Sequence, residues 1–572
     1  MATIQTTLTT DVLIVGGGGA GVRAALEADR AGARVLLVNK GPLGKAGTTA
    51  FEVAEIAGYN AADGCADPLD TPEIHYRDIM AAALGTCDAR LARILAAEAV
   101  ATVAELESWG VAFEKKGDRH LAVEGCFATR PRMHIIKGHS KPILDAMLGR
   151  LRDTAIQTRA DLSIVDLIVV DGRCRGALAM DESGALTGID AGAVVLATGG
   201  AGQLFERNLN PPDVTGDGYA IALRAGAELV NLEFIQMGLG LVDPVANILN
   251  CWVWFLHPRL LNRDGREFLA DYLPPGVDPD ACMDHKATHF PFSSRDLSKY
   301  IEVAITKELA VGRGGDHGGV YLDFRNIDNA GVKPDFLRMW ETTKSWLKGR
   351  GVDPDAQLLE VAPFGHAING GLRVDENGET TARHLFAAGE AAGGPHGADR
   401  LGGNMIVGCQ VFGKRAGRAA ARAAAIRRDR RSEAEAFCRQ SQQLLERFSG
   451  SSKSGMAPEA VKQAVQQLMS RNFLIVRNEQ GLRQIIRETE ALEARLAEDG
   501  LDRSGFQGPV AALECVNMLT LAKTMAGAAL LRTESRGSHY REDFPALDPT
   551  WRGSVVSRLS GSSIVHQMIS LE

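Results

Sequence analysis

Asp11-Val12-Leu13-Ile14-Val15-Gly16-Gly17-Gly18-Gly19-Ala20-Gly21 is the stretch that decides the fold of this chain. Val12 to Val15 is a short apolar run closed by glycines, the pattern of a buried parallel strand. Gly16-x-Gly18-x-x-Gly21 then turns it into a helix that begins near Gly19. In such a cradle the first glycine permits a tight turn, the second lets backbone amides approach a pyrophosphate, and the third lets the helix lie close on the strand. The diphosphate meets the positive end of the helix, so Gly16, Gly18, Gly19, Ala20 and Gly21 are the first expected cofactor contacts. Glycines at this spacing are weak evidence in isolation. Here a helix over 22–31 and a second strand over 34–38 follow on schedule.

The composition bounds the rest. At 572 residues the chain exceeds one ordinary core, and two to four domains are expected. A hydrophobic share of 45% and a charged share of 23% fit a globular chain. The balance of 63 basic against 71 acidic residues, a net charge of −8, argues against nucleic acid as a partner. No apolar run approaches the roughly eighteen residues of a membrane span. Met1 to Thr10 lacks the basic and apolar regions of a secretion signal, so a cytoplasmic location is expected. The nine cysteines include no CxxC pair, which argues against an iron–sulfur or zinc cluster carried on this chain. They read as reduced core thiols, and no metal site is expected.

After the second strand, Asn39-Lys40 stands where a dinucleotide fold usually places an acid for the adenosine ribose. Asn39 can bond a hydroxyl through its amide, and Lys40 can offset phosphate charge. The small, polar loop that follows, with Gly44, Gly47, Thr48 and Thr49, suits the close passage of a flat ring system. Helical patterns cover 74–107 and 139–154. Strands over 162–170 and toward Leu178 flank an Asp171-Gly172 hairpin turn. A buried strand then runs into Ala197-Thr198-Gly199-Gly200, returning the chain to the cradle, and Thr215 or Asp217 is available to cap a further helix. Much later, Leu385-Phe386-Ala387 leads to Gly389-Glu390, where the carboxylate can accept hydrogen bonds from ribityl hydroxyls. The segment from Arg400 through Gly403, Asn404 and Met405 offers backbone amides to an isoalloxazine carbonyl.

Together these segments resemble the flavoprotein subunits of succinate dehydrogenase and fumarate reductase, with aspartate oxidase and the adenylylsulfate reductase α subunit. Four matches lie before Met405: Gly16 to Gly21 with Asn39-Lys40; Ala197 to Gly200 with Thr215-Gly216-Asp217-Gly218; Ser294-Arg295-Asp296 with Gly312-Arg313-Gly314; and Gly389-Glu390 with His396-Gly397-Ala398-Asp399-Arg400-Leu401-Gly402-Gly403-Asn404. A fifth is Glu534-Ser535-Arg536-Gly537-Ser538-His539 with Arg541, Asp543 and Pro545. The resemblance implies an α/β, Rossmann-like FAD-binding domain of glutathione-reductase type, an inserted α+β capping domain and a helical C-terminal domain. The expected boundaries are 1–243 and 360–431 for the flavin domain, 244–359 for the cap and 432–572 for the tail. Relatives that tether FAD use a histidine after the second strand. Residues 45–49 contain none, so noncovalent FAD is expected.

The chemistry so implied is hydride transfer at flavin N5, with a proton moved at the neighbouring carbon. Arg295 matches the arginine that moves the proton, its alternative reading being a salt bridge. His366 and Arg400 match positions that hold a substrate carboxylate. Dicarboxylate-using relatives carry a His-Pro-Thr-Gly segment after a Glu-Phe strand, whereas this chain reads Glu233-Phe234-Ile235-Gln236-Met237-Gly238-Leu239-Gly240. They also carry a proton-relaying Glu-Gly-x-Arg-Gly segment where it has Asn250-Cys251-Trp252-Val253-Trp254-Phe255-Leu256-His257. Those aromatics either line an enlarged pocket or form cap core, and both readings stay open. An FAD-dependent oxidoreductase acting on a small anionic organic substrate is the leading expectation. The alternative is an adenylylsulfate-reductase-like subunit that passes electrons to a ferredoxin-like iron–sulfur partner, and the oligomeric state is open. Lys414, Arg415, Arg418 and Arg422, followed by Arg427-Arg428 and Arg430-Arg431, read as a solvated helix face and linker. Helical periodicity over 432–448, 458–477, 481–499 and 509–532 suggests a closing bundle.

Overall fold

The structure, a computed structural model, describes residues 6–52, 56–325, 327, 332–426, 455–501 and 508–571. The strand Thr6–Val15 lies at the centre of a seven-stranded sheet. Val12, Leu13 and Ile14 are fully buried, as a parallel strand covered on both faces requires. It pairs in parallel with Val35–Val38 on one side and Leu186–Leu196 on the other, and Gln157–Arg159 extends the first edge. Leu385–Ala387 returns to pair in parallel with the end of Leu186–Leu196, so a late segment completes the early sheet. The hairpin Ser163–Val170 and Arg173–Met180 is antiparallel and turns at Asp171 and Gly172, with φ of 50° and 69°, as the Asp-Gly pair predicts. The first helix, Gly19–Arg30, lies so near its strand that a Cβ on Gly21 would stand 1.8 Å from the Gly16 carbonyl oxygen.

The helical pattern over 74–107 is two helices, Pro72–Ala83 and Ala89–Ser108. The chain breaks at Leu84 and Gly85, both at positive φ, and restarts where the Asp88 carboxylate accepts from the Arg90 and Leu91 amides. Alanine-rich periodicity runs through this break and conceals it.

The cap grows from a two-stranded ribbon, Ile235–Asp243 paired antiparallel with Leu359–Ile368. Asn247–Ile248, Val320–Asp323 and Arg259–Leu261 complete its sheet. It has its own hydrophobic core, which includes Leu239, Trp254, Ile301 and Val361. The aromatic segment Cys251–Leu256 is a 3-10 turn inside that core: Val253 and Trp254 are buried, and the Trp252 indole donates to Thr343 Oγ1 at 2.9 Å. The core reading of those aromatics therefore holds, and none of them lines the cavity described below.

Helices Pro458–Asn472, Glu479–Asp499 and Gly508–Leu531 form the closing bundle. The helix expected over 432–448 and the arginines at 427, 428, 430 and 431 lie outside the described residues. Lys414, Arg415 and Arg418 are not free solvated charges, because they pair with Glu105, Glu98 and Glu27 respectively. The tail is also not wholly helical. Ser554–Ser560 and Ser563–Ile569 form a hairpin that pairs with Leu229–Val230 and joins a five-stranded sheet with Gly371–Arg373 and Ala392–Gly393. Its turn holds Gly561 at φ 61°, a strand–Gly–strand signal that a helical reading of the tail passes over. Among the described residues no helix is long and apolar enough to cross a membrane.

Candidate active site

Where the glycine turn, the loop at 47–49 and the turns after Leu186–Leu196 and Leu385–Ala387 converge, they enclose a cavity of about 280 Å³. Gly16, Gly18, Gly19 and Ala20 form one wall with Asn39 and Lys40. Gly47, Thr48 and Thr49 form a second, and Ala197, Thr198, Gly199 and Asp217 a third. Gly389, Glu390, Gly403 and Met405 close the far side with His366 and Arg400. Residues more than three hundred positions apart in sequence thus face one space. At Gly199, φ +74°, an added Cβ would meet nothing within 4 Å, and at Gly18 only Thr49 Oγ1 at 3.7 Å, so a side chain at either would stand in the cavity. A cradle walled by glycine backbone, with one carboxyl and one guanidinium beyond it, fits FAD.

Several expected contacts do other work. The Asn39 side-chain oxygen accepts from the Gly17 amide at 2.7 Å, and its amide donates to the Gly41 carbonyl at 2.7 Å, so this side chain braces the turn in addition to facing the cavity. Thr49 Oγ1 accepts from the Gly19 amide at 3.2 Å. Thr215 and Asp217 do not cap the helix Asp217–Arg224, whose N-cap is Gly216 without a side-chain bond. They receive Lys40 Nζ instead, at 2.8 and 2.9 Å, and Glu514 pairs with the same ammonium. Burial works against the Lys40 charge, but Asp217 and Glu514 outweigh it and keep the group protonated.

Gly21, Gly44, Gly200, Asn404 and Arg295 do not line the cavity. Gly21 is a packing contact, and Gly44 lies against Leu148. Gly200 lies beneath Glu390, whose Oε1 is 2.1 Å from where a Cβ would be. Asn404 Oδ1 accepts from Asn60 at 2.7 Å and lies 3.0 Å from His75 Nε2.

The far end carries the unusual electrostatics. Burial lowers the Arg400 guanidinium to about 10, with Glu390 opposing the shift. One of its terminal nitrogens donates to Gln236 Oε1, the other to the Leu401 carbonyl at 3.2 Å, and the buried Nε has no partner. Burial pushes the Glu390 carboxyl up to about 7, although it accepts from the Ile368 amide at 2.8 Å. Burial, and then Arg400, push His366 down to about 3, so its imidazole is neutral at physiological pH.

Arg295 sits on the cap side. Its Nη2 and Nε donate to Asp399 Oδ2 at 2.6 and 3.0 Å, Nη2 also donates to the Ala82 carbonyl at 2.9 Å, and the guanidinium lies 4.4 Å over the Phe127 ring. Asp399 is buried, with its carboxyl raised by burial against the pull of Arg295. The arginine is therefore docked on the residue next to Arg400 rather than on the cavity. Sequence reasoning missed Gln236 and Asp399, although one lies in the stretch 233–240 that departs from the dicarboxylate pattern and the other lies inside the motif ending at Asn404. It also missed Cys126, which Cys251 meets from the cap. A hydrogen bond from the Cys251 thiol, with the Phe290 amide at 3.3 Å, lowers the Cys126 thiol against the effect of burial.

Comparison with known proteins extends these observations. An FAD binding domain family model matches residues 11–406, and a fumarate reductase flavoprotein C-terminal model matches residues 462–563. The chain is 34% identical over 555 residues to a fumarate reductase (CoM/CoB) subunit of Methanothermobacter marburgensis, covering 96% of each chain. It is 31% identical over 578 residues to L-aspartate oxidase of Streptomyces coelicolor, covering 96% of this chain and 91% of that one. Among solved structures, Mycobacterium smegmatis Sdh1 in complex with UQ1 superposes with a TM-score of 0.84 at 31% identity, covering 99% of this chain and 95% of the other.

Proposed function

The chain is an FAD-dependent oxidoreductase of the fumarate reductase, succinate dehydrogenase and L-aspartate oxidase flavoprotein family, and from that premise we propose that its substrate is a small, carboxylate-bearing anion oxidised or reduced at an activated C–C or C–N bond. The observation that carries this reading is the buried Arg400, whose Nε lacks a partner beside neutral His366 in the cavity that the glycine turns wall.

FAD bound between those turns supplies a two-electron hydride acceptor or donor. Gly403 and Met405, with Glu390 on the opposite turn, line the cavity and would hold the cofactor there. Arg400 binds the carboxylate, and Gln236 fixes the plane of its guanidinium. His366 adds a hydrogen bond without a second positive charge, so the anion is neutralised once. Arg295 moves the substrate proton when the cap brings it inward and substrate replaces Asp399 as its partner. A guanidinium is a weak acid in water, and closure of the cap supplies the dry contact this step needs. We further propose a cytoplasmic location and a separate iron–sulfur protein as the electron partner. Support for the partner comes from the sequence, which has no CxxC pair for a cluster of its own, and from the methanogen relative, whose name makes it one component of a larger enzyme.

Anaerobic bleaching of the bound flavin by a panel of carboxylates and amino acids, with reoxidation of reduced protein by unsaturated acids, tests the reading. At least one anion should change the flavin spectrum, and Arg400→Gln should abolish the change while flavin content persists. No response in either direction overturns the substrate class. Activity that appears only with a ferredoxin-like protein supports the partner, and full turnover by the single chain with a small acceptor removes it.

A further inference from the structure

Beyond the flavin cavity, the three-stranded sheet of Gly58–Asn60, Ala122–Glu124 and Pro131–Ile135 carries a second cluster of chemistry-bearing side chains. Asp63 and Cys65 leave its first strand on a loop, His134 points from its last strand, and His120 comes from the short hairpin beside it. One ligand atom from each of the four lies within 4.8 Å of every other. His134 Nε2 is 2.9 Å from Asp63 Oδ2, His120 Nδ1 is 3.8 Å from the same oxygen, and Cys65 Sγ is 4.0 Å from Nδ1, the other nitrogen of the His134 ring.

We propose that Asp63, Cys65, His120 and His134 form a zinc site. Bonds of roughly 2.0 to 2.3 Å to a tetrahedral zinc separate its ligand atoms by about 3.3 to 3.7 Å. The cluster therefore needs to contract by about 1 Å along its widest edge and to relax along its shortest. Two imidazoles, a thiolate and a carboxylate are the donor set of zinc rather than of magnesium or calcium, which take oxygen. An outer partner is already in place: His120 Nε2 lies 2.8 Å from Glu107 Oε1, the carboxylate–imidazole pairing that orients metal-bound histidines and leaves Nδ1 for the ion. His134 is fully buried and the Asp63 and His120 side chains are 21% and 14% exposed, so an ion is shielded yet has a way in. The ligands come from separated positions with no paired-cysteine spacing, which is why no metal signal stands out in the sequence.

The position implies a structural role. Asn60, three residues before Asp63, donates to the Gly402 carbonyl and to Asn404 at 2.7 Å each. The same loop continues to Asp70, which pairs with buried Arg132. An ion at the cluster therefore clamps the support beneath the segment that holds Gly403 and Met405 against the cavity.

The test is metal analysis and zinc titration of the flavin-loaded full chain, before and after removal of metal with a chelator. The expected result is one equivalent of zinc, bound at least about 100-fold more tightly than by Cys65→Ser or His120→Ala, with Glu107→Gln weakening binding by about 10- to 100-fold. Cobalt added to the stripped protein should give a visible spectrum of tetrahedral coordination with a thiolate charge-transfer band, lost in Cys65→Ser. Circular dichroism of each variant separates loss of a ligand from loss of fold. Zinc affinity in folded Cys65→Ser equal to that of the unaltered chain overturns the proposal, as does a stripped chain that takes up neither zinc nor cobalt.

Discussion

Cys126 shows how a residue with no motif acquires chemistry from its neighbours. Its thiol is lowered by the hydrogen bond from Cys251, whereas the buried Cys87 and Cys174 are pushed up to about 12. Brief iodoacetamide treatment near pH 7 should label Cys126 first, and Cys251→Ala should slow that labelling by about tenfold, as read by peptide mass spectrometry. Equal labelling of all cysteines contradicts the assignment. Glu390 gives a pH test of opposite sense. Its carboxyl is raised from 4.5 to about 7 in the folded chain, so the folded state keeps a proton that the unfolded state releases in that window. Stability of the flavin-free chain should therefore fall as pH rises from about 5 to about 8, and Glu390→Gln should flatten the slope in urea melts. Glu390 and Arg400 were legible as cavity residues because glycine turns surround them. Gln236 and Cys126 were not, because their roles depend on what the fold places opposite them.

At the scale of elements, the Arg295–Asp399 pair joins cap to flavin domain. The Asp399 side chain is 1% exposed, so Arg295→Ala strands a buried carboxylate and should cost about 3 kcal/mol or more. Arg295→Ala combined with Asp399→Asn should recover most of that loss. A double-mutant cycle by thermal denaturation, with hydrogen exchange over residues 289–297, reads the coupling. Additive losses would show that the pair does not dock the cap. Elements with a sharp local signal were legible: the Val12–Val15 strand, the Asp171-Gly172 turn and the Gly16–Gly21 turn all stand where the residues put them. The break at Leu84-Gly85 and the hairpin at Ser554–Ile569 were not, because an alanine-rich period masks the one and pairing with distant Leu229–Val230 stabilises the other.

Across the whole molecule, the two large hydrophobic cores among the described residues lie one under the flavin cavity and one in the cap, with a small third cluster where Val510 and Leu513 meet the hairpin of Ser163–Val170 and Arg173–Met180. No residue of the cap core lines the cavity, so heating should give two transitions of which added FAD raises one, by about 2.7 kcal/mol at a hundredfold excess over its Kd. A single transition that shifts as a unit would show that the cores unfold together. The order of segments along the chain announced an inserted domain, since the sheet opened by Thr6–Val15 is closed only at Leu385–Ala387. The five-stranded sheet that ties the tail to Gly371–Arg373 had no such announcement.

The ribbon that carries the cap also has at its root Gln236 and His366, the residues proposed to serve the substrate anion. Gln236 faces Ala367 across it, next to His366, and the pairing slips by one residue between Gln236 and Met237. The pivot and the grip are thus the same few residues. On that proposal a molecule held there would load the stalk on which the cap is mounted, so stiffening that stalk should alter affinity and cap travel together, as one mechanical adjustment.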